Sequence, residues 1–436
     1  MPRNKRRSIA KKCFFYLRLF FRKYPNFHFV IKWSLISILI SILIGSASAG
    51  FLYSLDWVTD FRENHWWIII FLPIGGFLIG ILYYYYGKDV EAGNNILIDY
   101  IHEPRRIIPL RMAPFIYIGT IVTHFLGGSA GREGTALQMA GSIVYPFTKL
   151  FGLAYLEKRI LIIAAVAGGF GSVFGTPLAG AIFALEFFLI GNILFNALFP
   201  AFLTAILSDV VTKVWWKAPH THYSIDFIPE ISFLNFFYII FAGIIFGLCA
   251  LVFIKLMHNC VKVFKSKITF PPIRPLIGGI IIVFTIVAIG TTKYIGLGIP
   301  TILQSFEQIL TPYDFAIKMI LTIITLSSGF KGGEVTPLFF IGATLGNALS
   351  LWIPLPTGLL AGMGFVAVFA GASNTPIACT IMAIELFGVN CGVYAALACS
   401  VSYLFSGHNS IYQRQVIGEA KFSQFSNHKG KRFHEL

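Results

Sequence analysis

Long apolar segments recur along the whole chain, and they restrict its fold more than any other feature. A run of about 20 apolar residues can cross a bilayer as one helix. Because lipid offers the backbone no hydrogen bonds, each such segment has to satisfy its own N–H and C=O groups, as a helix does. The sequence therefore predicts an all-α, polytopic membrane protein. The clearest apolar segments are Phe29–Leu55, Trp66–Tyr86, Ile160–Ile190, Ile193–Val211, Ile231–Leu256, Leu276–Leu297, Ile317–Ser327 and Gly358–Ala372.

Charged residues are few, and the basic ones are concentrated at the two ends of the chain. They make up 12% of the residues, whereas soluble domains have about 25%. The net charge of +15 could suggest a nucleic-acid partner, but residues 1–28 combine many Lys and Arg with no acid, which is typical of a cytoplasmic flank. We therefore expect no nucleic acid, but a multi-pass protein of the cell membrane whose ends contact anionic lipid headgroups. The predicted parts are a basic cytoplasmic segment at 1–28, a transport domain at 29–412 and a basic cytoplasmic tail at 413–436.

The second half of the chain repeats the first. Residues 175–186 and 374–385 both contain Thr-Pro followed by a glutamate at the same spacing. Glu133 and Glu334 match at nearly the same offset, and both pairs keep their order within each half. Shared Thr-Pro and Glu at fixed spacing indicate a duplication. We predict repeats at approximately 29–215 and 228–412.

The repeats also predict where the substrate site lies. An odd number of membrane segments in each would give the repeats opposite orientations, and such transporters bind substrate near the midplane, where broken helices meet. Gly-rich interruptions at 168–171 and 371–374 come shortly before Pro177 and Pro376. Since proline is accepted in the first turn of a helix, each proline suits the restart of a broken or re-entrant helix.

Two acidic residues lie beside glycines inside this apolar chain. Glu133 lies in Gly131–Thr135, and Glu334 lies in Gly332–Thr336. A charge at membrane depth costs at least a few kcal/mol, so such a residue is expected to line a water-filled path or to bind ions. The glycines allow backbone N–H groups to approach a small ligand closely. The two motifs predict a pore with acidic groups at its centre.

The residues around these motifs suit an anion. Helix N-termini offer unpaired N–H groups at the positive end of the helix dipole. The amide of Asn94 and the hydroxyl of Tyr412 would add further donors. The pattern indicates an anion without identifying it, and no metal or cofactor is expected. The predicted anion contacts are Asn94, Gly134, Thr135, Val335, Thr336 and Tyr412.

Three ordered motifs resemble those of the CLC family of anion channels and anion/proton antiporters. Gly131–Thr135 is similar to the family's G-R-E-G-P signature, and Gly332–Pro337 stands where the family has G-x-F-x-P. Ser406–Tyr412 resembles its late segment with a central tyrosine. The resemblance covers roughly residues 30–415. It implies a transport protein rather than an enzyme, and a homodimer with one pathway in each subunit.

The differences from chloride-transporting members point to one clade. The family's usual G-S-G-I-P is Gly93–Leu97 here, so Asn94 replaces the serine whose hydroxyl helps to hold chloride. Glu334 stands where chloride members have an apolar residue, and Phe187 stands where chloride/proton members have an inner proton-relay glutamate. This combination resembles the fluoride/proton antiporters of the family. The resemblance assigns the inner proton role to Glu334.

The leading hypothesis is therefore proton-coupled export of fluoride. An ionised Glu133 would mimic the anion and occupy its donors, and a protonated Glu133 would leave them. One side chain would thereby link proton and anion movement, and Glu334 would pass the proton inward. The choice of fluoride rests on the resemblance.

The alternative is a chloride/proton antiporter or a passive anion channel with the same fold. Phe187 and Asn94 count against the chloride form, and Glu334 counts against a passive pore. An intramembrane enzyme is disfavoured, because the sequence contains no metal-ligand cluster and no paired intramembrane aspartates. Three further charged residues are expected to be structural, with an anion ligand as the alternative for Arg132 and proton entry as the alternative for Glu186: Arg132, Glu186 and Glu385.

Overall fold

A computed structural model describes residues 23–435 of the protein, and these residues are predominantly helical. The all-α membrane fold predicted from the apolar segments is confirmed. Most of the basic segment predicted at 1–28 lies outside the described residues. Two short strands, β1 (Leu189–Ile190) and β2 (Val416–Ile417), pair in parallel.

The first half of the fold runs from α1 to α9. A 3₁₀ turn at Phe195–Ala197 leads into α9, and a π turn at Val211–Trp215 follows it; a 3₁₀ segment at Trp66–Phe71 leads into α2. The helices are α1 (Pro25–Asn64), α2 (Leu72–Tyr86), α3 (Asn94–His102), α4 (Met112–Phe125), α5 (Glu133–Val144), α6 (Phe147–Leu150), α7 (Tyr155–Phe174), α8 (Pro177–Glu186) and α9 (Leu198–Val210).

The second half runs from α10 to α17 and ends in a non-helical segment with the 3₁₀ turns Ser423–His428 and Phe433–Glu435. A 3₁₀ turn at Val389–Cys391 leads into α17. The helices are α10 (Phe233–Lys267), α11 (Ile273–Ile289), α12 (Ile299–Glu307), α13 (Asp314–Ser328), α14 (Val335–Leu349), α15 (Thr357–Ser373), α16 (Pro376–Phe387) and α17 (Gly392–Phe405).

The helices of the two halves follow one another in the same order. A long helix comes first in each half, α1 or α10, and a nine-residue helix comes third, α3 or α12. The Thr-Pro pairs begin α8 and α16, each with proline in the first turn. The matched order is what a duplication requires. The boundaries 29–215 and 228–412 stay predictions.

Several apolar segments are broken, as the glycine interruptions predict. Segment 160–190 contains two helices, α7 and α8, and the chain turns between them at Gly175, whose φ is +74°. The second half turns at the equivalent place through Asn374, whose φ is +62°, a conformation that Asn tolerates better than most residues. The short helix α14 is buried along its whole length. By length and composition, four segments of the described chain can cross a membrane unbroken: Pro25–Asn64, Trp66–Tyr86, Phe195–Trp215 and Phe233–Lys267.

Two loops from opposite halves meet inside the protein, directly before α5 and α14. They form a short antiparallel bridge in which the Gly131 N–H donates to Gly333 O (2.6 Å) and the Gly333 N–H donates to Gly131 O (2.7 Å). A Cβ at position 131 would lie 2.9 Å from the Gly333 carbonyl oxygen and from Pro337. Only glycine permits this approach. The bridge brings the two glutamate motifs of the sequence together.

Candidate functional site

Glu133, the first residue of α5, places its carboxylate at the N-terminus of α14. Its Oε2 accepts the N–H groups of Arg132 and Thr336, each at 3.1 Å, and its Oε1 accepts the Thr336 hydroxyl. The side chain is fully buried. The first turn of a helix offers unpaired N–H groups and positive dipole charge to an anion. The carboxylate of one repeat therefore caps the first turn of a helix in the other repeat.

Arg132 accompanies Glu133 as an ion-pair partner. Its Nε lies 3.7 Å from Glu133 Oε1, and its side chain is 10% exposed. Among the described residues, this Nε has no hydrogen-bond partner. The geometry agrees with the predicted role as a partner of Glu133, and it leaves one guanidinium N–H directed at no protein acceptor.

Gly134, Asn94 and Glu334 converge at one point. A Cβ on Gly134 would lie 3.0 Å from the amide nitrogen of Asn94 and 3.8 Å from Glu334 Oε2. Within residues 23–435, the buried atoms Asn94 Oδ1 and Glu334 Oε2 have no hydrogen-bond partner. Buried polar atoms are normally paired. The three predicted site residues thus lie around one small space. This space is open because residue 134 is glycine, and the unpaired atoms belong to the side chains of Asn94 and Glu334.

Tyr412 lies on the segment that follows α17. The side chain is buried, and its hydroxyl has no hydrogen-bond partner in the described part of the chain. Its ring meets Phe187 edge to face, with centroids 4.7 Å apart and planes at 89°. Two residues later, the Arg414 N–H donates to Asn95 Oδ1 (3.3 Å), which ties this segment to the start of α3. Tyr412 and Asn94 therefore lie on neighbouring segments.

The remaining predicted contacts are placed differently. Val335 is buried and begins α14, so it offers backbone rather than side-chain donors. The Thr135 hydroxyl forms a 2.6 Å hydrogen bond with the Thr120 hydroxyl of α4. Thr336 is directed at Glu133, as described above. Of the two threonines, only Thr336 brings its hydroxyl to the carboxylate.

A cavity of about 490 Å³ lies on the other side of Arg132. It is bounded by the second half of α1, which contributes Asp56 and Arg62, by the loop that contains His220, and by the segment that contains Lys293. Three of the lining residues carry a positive charge at neutral pH: Arg62, Arg132 and Lys293. Arg132, the residue next to Glu133, forms part of the cavity wall.

Lys318 and Asp99 are two charged residues that the sequence reasoning missed. Lys318 lies in a segment taken as a purely apolar span, yet it is fully buried and donates to Tyr294 O (3.0 Å) and Gly296 O (2.7 Å). The Gly296 N–H in turn donates to Gly128 O (3.1 Å), so Lys318 supports the loop that leads to Glu133. In both cases the sequence held a usable signal, because Lys318 and Asp99 each stand alone as a charged residue between apolar neighbours.

A polytopic helical fold made of two repeats, with a buried carboxylate where the repeats meet, is typical of ion-transport proteins. The sequence profile described as voltage gated chloride channel matches residues 75–407. The chain belongs to this family, the CLC family, and is an integral membrane protein of ion transport. The resemblance stated from the motifs is confirmed.

Individual relatives cover nearly the whole chain. A chloride/fluoride channel protein from Pseudomonas syringae pv. tomato (strain ATCC BAA-871 / DC3000) is 49% identical over 399 residues, which are 90% of this chain and 88% of that protein. The voltage-gated ClC-type chloride channel ClcB of Escherichia coli O81 (strain ED1a) is 25% identical, over 81% of this chain and 90% of its own length.

Solved structures show the same fold. The crystal structure of a CLC-type fluoride/proton antiporter is similar with a TM-score of 0.84 and 35% identity, and the match covers 88% of this chain and 97% of that one. A slow cyanobacterial Cl⁻/H⁺ antiporter has a TM-score of 0.77 at 18% identity, covering 87% and 96% of the two chains, which supports the fold alone.

Proposed function

We propose that the protein exports fluoride in exchange for protons, with Glu133 alternating with fluoride at one set of donors. The observation that carries this proposal is the position of the Glu133 carboxylate at the N-terminus of α14, held by the N–H and hydroxyl of Thr336. Similarity to a chloride/fluoride channel protein and to a fluoride/proton antiporter supports fluoride as the ion.

The donors around Glu133 suit a small anion. Two backbone N–H groups and one hydroxyl converge on the carboxylate. Hydrogen bonds to an ionised acceptor are short and strong, and fluoride, which is small and strongly hydrated, needs such bonds when it loses water. Protonation of Glu133 removes the carboxylate charge and weakens its hold on these donors. Each release of the donors to fluoride therefore carries a proton on Glu133, which couples the two ions.

Glu334 is the proposed proton carrier on the inner side. Its Oε2 lies beside Gly134, next to the Asn94 amide, and Glu334 is the N-cap residue directly before α14. A proton that reaches Glu133 from outside would leave through Glu334 toward the cytoplasm. Phe187 contributes only a ring at its position, so it offers no proton-carrying group. Asn94 and Tyr412, which together bound what we call the inner mouth, would donate to the incoming anion.

The cavity beside Arg132 is the proposed outer end of the pathway. If the basic N-terminal flank is cytoplasmic, α1 ends on the outer side, where its residues Asp56 and Arg62 line this cavity. The basic residues of the C-terminal tail would place that terminus in the cytoplasm as well. Arg132 would meet the anion that replaces Glu133 and pass it to the cavity. A homodimer with one pathway in each subunit is proposed from the family resemblance.

The competing function is chloride/proton exchange, or passive conduction of an anion. The name of the 49% identical relative includes both chloride and fluoride, which keeps chloride as a candidate substrate. Asn94 in place of serine and Glu334 in place of an apolar residue are the features of this chain that favour fluoride and proton coupling.

Flux measurements on purified protein in liposomes test the proposal. Vesicles loaded with fluoride or with chloride are monitored with ion-selective electrodes and a pH electrode at clamped voltage, and protein-free vesicles serve as the control. We expect fluoride efflux with proton uptake, and uphill fluoride movement when a pH gradient is imposed. Chloride flux equal to fluoride flux would remove the fluoride assignment, and anion flux without proton movement would leave a channel.

A further inference from the structure

Asp99 is a buried acid on which three arginines converge. It lies in the second turn of α3 and is 2% exposed. Its Oδ2 accepts Arg106 (2.7 Å) and Arg414, and its Oδ1 lies 3.4 Å from Arg432. A buried carboxylate needs a partner charge. Two of its three partners come from the segment that follows Tyr412, so Asp99 joins α3 to the end of the chain.

Further contacts hold the same segment against the transport helices. Gln415 is fully buried, and its amide donates to Phe187 O (2.6 Å) and Ser373 O (3.0 Å). The Ser410 hydroxyl donates to Gln415 Oε1 (2.5 Å). Strand β2 pairs with β1, directly after α8. The segment is therefore fixed to the ends of α8 and α15 as well as to α3.

These contacts lie next to two proposed anion contacts. Asn94 starts α3, and at 1.5 Å rise per residue it is about 7.5 Å along the helix axis from Asp99. Tyr412 precedes Arg414 by two residues. The Asp99–Arg414 pair therefore joins the two segments whose side chains bound the inner mouth. The basic charges of Arg414 and Arg432, expected from the sequence to face lipid headgroups, are engaged by Asp99 of the protein itself.

We propose that Asp99 is a positioning residue for the inner mouth. It sets the separation of Asn94 and Tyr412 by holding the C-terminal segment 413–435 on α3 through Arg414 and Arg432. It touches neither anion nor proton. The inference rests on the proposed function only in taking Asn94 and Tyr412 as anion contacts.

The test compares Asp99→Asn with wild type in the liposome assay, at varied internal fluoride. The variant weakens the contact that positions Asn94 and Tyr412, but it removes no donor of the site. The apparent KM for fluoride should therefore rise about tenfold, which corresponds to the loss of one hydrogen bond to a charged group. The maximal rate should change by less than about twofold. Asp99→Glu should restore part of the wild-type KM. Arg414→Gln should raise KM in the same direction, and its effect should not add to that of Asp99→Asn.

Lys429→Gln is the matched control, because Lys429 pairs with Glu419 on the exposed face of the same C-terminal segment. It should keep the wild-type KM. An unchanged KM in Asp99→Asn would overturn the proposal. A lower maximal rate at unchanged KM, without rescue by Asp99→Glu, would also overturn it, because that result describes a merely structural acid.

Two provisions keep the outcome decisive. If Asp99→Asn does not give a monodisperse protein, Arg414→Gln and Arg432→Gln replace it, since Arg106 still neutralises Asp99 in both. If the wild type carries chloride in place of fluoride, the proposed function fails, but the KM comparison is made with chloride and still decides the role of Asp99.

Discussion

Glu186 and Glu385 form reciprocal helix caps: Glu186, at the C-terminus of α8, caps the N-terminus of α16, and Glu385, near the C-terminus of α16, caps the N-terminus of α8. Glu186, the last residue of α8, accepts the N–H groups of Ile377 (3.3 Å) and Ala378 (3.0 Å) at the start of α16. Glu385, in the last turn of α16, accepts those of Leu178 (2.9 Å) and Ala179 (2.7 Å) at the start of α8. The exchange requires the two helices to run antiparallel, as opposite orientations of the repeats demand. It also gives both acids a structural task, in line with the expectation from their equivalent positions.

Glu385→Gln should lower stability and leave coupling intact. An amide replaces a charged acceptor of two N–H groups at a helix N-terminus, so we expect a loss of about 1–3 kcal/mol in the free energy of unfolding. Thermal unfolding in detergent measures it. A changed ratio of protons to anions would contradict a purely structural role for this residue.

Glu133→Ala should abolish proton coupling, or exchange altogether, because no side chain is left to carry a proton between the donors of α14. Proton movement should fall to the level of protein-free liposomes, while fluoride flux either persists passively or stops. The pH electrode in the liposome assay records the result. Proton movement at the wild-type rate would show that another group is the gate.

Glu334→Gln should slow proton movement about tenfold or more, since the loss of a positioned proton carrier typically costs 10²–10⁴-fold in catalysis and water can replace it only in part. Glu385→Gln, which also neutralises an intramembrane glutamate, is the matched control and should retain the wild-type proton rate. Equal rates in the two variants would place the inner relay elsewhere.

Thr336→Val should weaken the anion position while leaving its backbone N–H in place. The lost hydroxyl bond to a charged acceptor predicts a rise in the apparent KM for fluoride of about tenfold. Thr135→Val is the control, because its hydroxyl bonds Thr120 rather than Glu133. The interpretation fails if both variants have the same KM.

Gly134→Ala should reduce transport through crowding rather than charge. The added methyl group would lie 3.0 Å from the Asn94 amide nitrogen and 3.2 Å from the Cα of Gly333. Gly50→Ala adds the same group where none of the atoms of residues 23–435 that are not part of its own helix backbone lies within 4 Å, and alanine is preferred over glycine in a helix, so it should transport normally. Normal transport by Gly134→Ala would show that the space beside Asn94 is not used.

Features that depend on local pattern were predictable from the sequence. Apolar run length indicated membrane helices, the Thr-Pro repeat indicated two halves, and glycines on either side of Glu133 indicated its special place. Pairings over long sequence distance were not predictable. Nothing near Asp99 in the sequence identifies Arg432 as its partner, and nothing near Glu133 identifies the Thr336 hydroxyl, since these contacts arise only when the two halves pack.

The paired glycine loops have a consequence for how turnover proceeds. Rocking one repeat against the other would break both hydrogen bonds between Gly131 and Gly333, and leaving such buried groups unpaired costs about 1–3 kcal/mol each. The two loops therefore hold the repeats in a fixed relative position. We expect turnover to proceed by movement of the Glu133 side chain between stationary repeats, so chemical cross-links between the repeats away from Glu133 should leave transport intact.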